Sequence, residues 1–120
     1  MPSRSDGYLL DMLLAARSIQ DFTSGQTQES FATDRLRIRA IEREFEILGE
    51  AARNVDEITR QQFSGLDFRA IVGMRNIVSH DYRDVLWESS QHHVPKLISV
   101  LEPYLESLKD QEPSPPEPDS

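Results

Sequence analysis

ESFATDRLRIRAIEREFEILGEAARN, residues 29–54, carries the pattern that decides the fold. Ile38, Ile41, Phe45, Leu48 and Ala52 recur at steps of three and four, which aligns them on one face of an α-helix and not along a strand. Leu36, Ala40, Ile47 and Ala51 form a neighbouring stripe, so this helix is expected to bury two sides. Running from Glu29 or Ser30 to Asn54, it would span more than ~30 Å, enough for the spine of a bundle. Gly49 lies inside it, where glycine costs roughly 1 kcal/mol against alanine. The expected compensation is close approach of another helix, or of the segment from Arg75 to Tyr82. Glu50, beside that small surface, reads either as a solvated helix carboxylate or as a packed one with a partner.

The flanking sequence is helical as well. Residues 5–22 predict a first helix, capped by Ser5 or Asp6, with Leu9, Leu10, Leu13, Leu14, Ala16 and Ile19 on a broad apolar face. A short helix is predicted from Asp56 to about Phe63. Asp67 then caps a largely apolar one holding Phe68, Ile71, Val72, Met74, Ile77 and Val78. Asp84 is expected to cap the last helix, which runs to about Lys109. Pro95 and Pro103 each remove an amide donor from it, predicting a kink or a break. Alternating β-branched runs and Asn-Gly hairpin turns are absent. The expectation is an all-α domain over residues 1–110, a four- to five-helix bundle, antiparallel because the connections are short. Residues 111–120, QEPSPPEPDS, read as a disordered, acidic, proline-rich tail.

At 120 residues the chain has room for one domain with a modest core. No apolar run approaches the length of a membrane span, and the first residues do not resemble a secretory signal. With no cysteine there is neither a disulfide framework nor a thiolate metal site, and cytoplasmic residence is the simplest reading. His92 and His93 are adjacent, so they point to different sides of a helix and make a poor metal pair. The formal charge of −8 argues against a general nucleic-acid binder. Asp110, Glu112, Glu117 and Asp119 supply part of that charge, but the remainder is still acidic. Any RNA contact must therefore rest on a local basic patch. The visible cluster is Arg35, Arg37, Arg39 and Arg43, whose plainer reading is a solvated face interleaved with Glu.

Chemistry concentrates in RNIVSHDY, residues 75–82. Arg75 offers charge in a fixed fork geometry, His80 carries a proton near neutral pH, and Asn76 and Tyr82 add polar groups. That set suits a phosphate. A five-residue separation places Arg75 and His80 roughly 140° apart on a straight helix. They converge only if the helix ends near Ser79, if the arginine bends round, or if a second subunit completes the cleft. The plainer reading is a helix C-terminus that attracts cations for dipole reasons.

GMRNIVSHDY, preceded by a long helix ending EREFEILGEAARN and followed by Trp87, resembles the HepT branch of the HEPN superfamily over roughly residues 7–108. Pro95 in the final helix also fits. The resemblance implies a helical bundle that forms a homodimer, with the motifs of two subunits lining one cleft. It implies a metal-independent endoribonuclease without cofactor, the toxin of a toxin–antitoxin pair. Arg75 would bind the scissile phosphate. His80 would act as general acid or base while the RNA 2′-hydroxyl attacks, and Asn76 would position either group. Tyr82 would be the residue to which a partner nucleotidyltransferase antitoxin transfers AMP, placing charged bulk at the cleft mouth. The competing reading is a non-catalytic helical dimer that binds a nucleotide or serves mainly as the partner of a nucleotidyltransferase. The net charge and the retained tyrosine motivate it.

Overall fold

The computed structural model describes residues 3–76 and 83–111. Within them lie α1 (Arg4–Thr23), α2 (Gln28–Ala32), α3 (Arg35–Asn54), α4 (Glu57–Gln61), α5 (Phe68–Gly73), a 3₁₀ turn at Met74–Asn76, and α6 (Arg83–Gln111). No strand occurs among the described residues, so the all-α expectation holds. No helix among them is long and apolar enough to cross a membrane. Of the tail expected to be disordered, residues 111–120, Gln111 instead ends α6, and residues 112–120 lie outside the described residues.

α1 begins two to three residues earlier than the caps expected for it. Ser3 is its N-cap, accepting from the Asp6 amide at 3.1 Å while the Asp6 carboxylate accepts from the Ser3 amide at 2.9 Å. This reciprocal pair satisfies two amides that the helix itself leaves free. Asp6 therefore sits in the first turn, where its second oxygen accepts from the Tyr104 hydroxyl at 2.8 Å. Burial and the Asp6 carboxylate push the Tyr104 phenol up to about 12.

The helix expected over residues 29–54 is two helices. Thr27 caps α2 through a box with Ser30. The chain then leaves helical geometry at Asp34, φ −96° and ψ 88°, and Asp34 caps α3 by accepting from the Arg37 amide at 3.1 Å. A short carboxylate that bonds its own downstream backbone outcompetes continuation of the helix, a local effect that the apolar periodicity conceals. The second buried stripe also holds only toward the C-terminal end. Ala51 is buried, whereas Leu36 is 85% exposed.

Asp56 and Asp67 cap α4 and α5 as expected, accepting from the Thr59 and Ala70 amides. The Asp56 carboxyl is held below its ordinary range by the Thr59 amide, the Thr59 side chain and the Ser5 hydroxyl. Asp84 does not precede the last helix; it lies in the first turn of α6, where an acid still complements the dipole. Neither proline breaks α6. Pro95 and Pro103 both lie on its exposed side, where water can solvate the carbonyls they orphan. Leu86, Val94, Leu97 and Leu101 stay buried on the other side.

α1 packs most extensively on α3 and next on α6. Ser5 of α1 bonds Asp56 just beyond α3, and Arg37 near the start of α3 donates to the Phe22 carbonyl at 2.8 Å, so these two helices run antiparallel. Leu9, Met12, Ala16 and Ile19 meet Ile41, Phe45, Leu48 and Ala52 in the core. Burying side chains of this size contributes about 1.5–3 kcal/mol each. Leu10 and Leu14, expected on the buried face, are 43% and 49% exposed, so that face is narrower than the leucine pattern suggests. Phe31 of α2 packs against Trp87 of α6 with ring centroids 5.4 Å apart.

Candidate active site

The site is built where the turn after α5 crosses α3 at Gly49. A Cβ at Gly49 would lie 2.9 Å from the Arg75 Cβ, 3.2 Å from the Val72 carbonyl oxygen and 3.3 Å from the Arg75 amide nitrogen. The backbone of the turn thus touches the helix where only a hydrogen can fit. The glycine that weakens α3 lets Arg75 come this close, as its position in the sequence suggested.

Arg75 lies in the 3₁₀ turn and not in a continuing α-helix. From there its guanidinium donates to the Glu50 carboxylate, 25 residues away in sequence and next to Gly49 on α3. The Arg75 side chain is 28% exposed and that of Glu50 is 55% exposed. The arginine is therefore largely sheltered and oriented, with part of its side chain still open to solvent. Of the two readings of Glu50, each holds in part: it has a partner, Arg75, yet it stays exposed to solvent and is not packed. An arginine has five N–H donors, so one carboxylate contact leaves donors for a phosphate. Asn76 is the last residue of the same turn. His80 and Tyr82 lie outside the described residues.

Arg60, which the sequence reading passed over, stitches this region together. It donates to the carbonyls of Val55 at 3.0 Å, Ala52 at 3.0 Å and Arg53 at 3.2 Å. Its guanidinium also lies 5.3 Å from the centroid of the Phe68 ring at the start of α5. It thereby closes the carbonyl end of α3 and pins α5 to it, which fixes where the turn bearing Arg75 arrives. The available signal was a cation shortly after a helix C-terminus.

Beside Glu50, between α1 and α3, is an open cavity of about 290 Å³ bordered by Tyr8, Asp11, Arg43, Glu46 and Asn54. The arginine cluster on α3 is largely neutralised within its own helix. Arg37 pairs with Asp34 at 2.9 Å, Arg39 with Glu42 at 3.4 Å and Arg43 with Glu46 at 3.3 Å. The expected basic patch is thus mostly a face of alternating charge. Among the described residues no group of three or more His, Cys, Asp or Glu side chains is arranged to hold a metal ion.

Comparison with known proteins falls on this same region. The family model described as Ribonuclease HepT-like matches residues 12–106, a span that includes Gly49, Glu50 and the whole motif. A Methanocaldococcus jannaschii protein named "Putative RNase MJ1380" is 30% identical over 99 residues, covering 79% of this chain and 91% of that protein. "Probable ribonuclease HepT" of Thermococcus cleftensis is also 30% identical over 99 residues, covering 79% of this chain and 90% of its own length. A second M. jannaschii protein, "Putative RNase MJ0125", is 26% identical over 115 residues, covering 92% and 99%. No solved structure matches the chain.

Proposed function

The chain belongs to the ribonuclease HepT-like family, and from that membership we propose that it is a metal-independent endoribonuclease, the toxin of a toxin–antitoxin pair. The observation that carries the reading is the seating of Arg75 on Gly49 and its anchoring by Glu50. An arginine oriented before substrate arrives is what charge stabilisation at a phosphate requires, because the cost of ordering it has already been met in folding.

In this reading the free donors of Arg75 hold the non-bridging oxygens of the scissile phosphate. The 2′-hydroxyl loses its proton, its oxygen attacks phosphorus, and the bond to the 5′-oxygen breaks. The 5′-oxygen takes a proton, leaving a 2′,3′-cyclic phosphate and a 5′-hydroxyl. His80 carries out one or both proton transfers, since imidazole exchanges protons near neutral pH, and Asn76 positions the reacting groups. A homodimer places two motifs on one cleft. A partner nucleotidyltransferase transfers AMP from ATP to the Tyr82 hydroxyl with release of pyrophosphate. The added negative charge repels RNA from Arg75.

The test is RNA cleavage in EDTA by protein made without its partner, with end-group analysis, beside Arg75→Ala and His80→Ala. Cleavage by the parent alone, ending in cyclic phosphate, is the expected result. The net charge of −8 and a motif arginine already paired with a carboxylate favour a second reading, a non-catalytic dimer serving as partner of the nucleotidyltransferase. Absence of cleavage by folded, unmodified dimer across several RNA classes selects it.

A further inference from the structure

An acidic ribonuclease needs a local cationic footprint for its substrate, and Arg37, Arg39 and Arg43 of the obvious stripe on α3 are paired with nearby carboxylates. Arg53 is not. It lies in the last turn of α3, exposed, and makes no ion pair and no side-chain hydrogen bond among the described residues. Helix geometry sets its place: it is three residues on from Glu50 and four on from Gly49, the two positions against which Arg75 rests. Residues at those spacings are neighbours on one side of a helix, and four residues advance about 6 Å along the axis. That is a step of the order of one nucleotide along a strand. Arg60 holds the backbone carbonyls of Ala52 and Arg53, so the stem of this arginine starts from a fixed point.

We propose that Arg53 is a second RNA-backbone contact, binding the phosphate next to the one held by Arg75. The assignment rests on the ribonuclease reading and adds to it the direction in which the strand runs, along the last turn of α3. Glu50 lies between the two arginines and occupies one of them, so the strand is gripped at its backbone by guanidinium groups and no base is read. Arg53 is a binding residue here; the reacting atoms stay with the motif.

A cation in the last turn of a helix also has a plain structural use, interaction with the helix dipole. Lys109, exposed in the last turn of α6 and likewise without a partner among the described residues, is the matched control. The probe is a fluorescein-labelled 2′-O-methyl oligoribonucleotide, which keeps the phosphates but has no attacking hydroxyl. Its binding is titrated over a range of salt for the parent, Arg53→Gln and Lys109→Gln. Cleavage kinetics on the matching RNA and thermal melts accompany the titrations.

Arg53→Gln is expected to weaken binding equally for different sequences and to lower the slope of log affinity against log salt by about 0.7, one phosphate contact on a single strand. KM should rise in the same proportion with kcat unchanged, and Lys109→Gln should change neither. Equal affinity and equal slope for Arg53→Gln and the parent overturn the assignment while leaving the ribonuclease standing, provided the parent cleaves. A folded parent that neither binds the probe nor cleaves RNA overturns both.

Discussion

Replacing Gly49 by alanine puts a methyl group 2.9 Å from the Arg75 Cβ, with the Val72 carbonyl oxygen at 3.2 Å and the Arg75 amide nitrogen at 3.3 Å. Carbon atoms in contact settle near 3.5–4.0 Å, so the turn must retreat from α3 by about 0.6 Å or more. None of the three atoms is the free end of a flexible side chain, so the backbone itself has to move. Alanine gains about 1 kcal/mol of helix propensity over glycine, while overpacking of this kind costs about 1–3 kcal/mol. The net expectation is a loss of about 0–2 kcal/mol, seen as a drop of a few degrees in Tm. The effect on function is expected to be larger than the effect on stability. A misplacement near 1 Å can cost about 100-fold in rate, so cleavage should fall by one to two orders of magnitude while the protein stays folded. Gly7→Ala is the internal control. Gly7 lies exposed in α1 with nothing within 4 Å of an added Cβ, and its replacement should stabilise by up to about 1 kcal/mol. Melting curves and cleavage assays on both variants decide the matter. If Gly49→Ala melts higher, as Gly7→Ala should, and cleaves like the parent, the close contact does not position Arg75 and the argument for the site fails.

Two further outcomes follow from the geometry. Glu50→Gln removes the charge that orients Arg75; because Glu50 is 55% exposed, stability should change by no more than about 1 kcal/mol, while kcat falls by about tenfold. Unchanged kcat would show that Arg75 needs no anchor. Tyr104, whose phenol is pushed up to about 12 beside Asp6, has a folded value above the ordinary value near 10. Its contribution to stability is therefore fully present below pH 10 and is lost as pH rises through 12. Tyr104→Phe should cost about 1–3 kcal/mol at neutral pH by stranding a buried carboxylate oxygen and should flatten that alkaline decline. Urea titrations between pH 8 and 12 measure both, and an alkaline decline of the same size in the variant would remove Tyr104 from the account.

The all-α architecture was legible because helical periodicity is a short-range property. Ile38, Ile41, Phe45, Leu48 and Ala52 announce their shared face within one stretch of chain, and Asp56 and Asp67 announce caps by bonding amides three residues on. The same locality explains the misplaced boundaries. Ser3 and Asp34 compete with the helix for their own nearby amides, and nothing in the apolar pattern says which Ser or Asp will win. The two prolines do not break α6 because their cost depends on which side of the helix is wet, and that is settled by what α6 packs against.

At the site the division falls between residue types and partners. Read as residues alone, the chain already places a glycine and a glutamate together in a helix, opens the motif of residues 75–82 with an arginine, and marks the glycine as a point of close approach. It took the folded chain to show that Arg75 makes this approach, that Glu50 is the carboxylate it meets across 25 residues, and that Arg53, one turn beyond, has no partner among the described residues. The physical reason is range. Capping and periodicity act over three or four residues and are written in the chain. The choice of partner for a charged group depends on which helix surfaces come into contact, and it exists only once α5 has docked against α3 under the hold of Arg60.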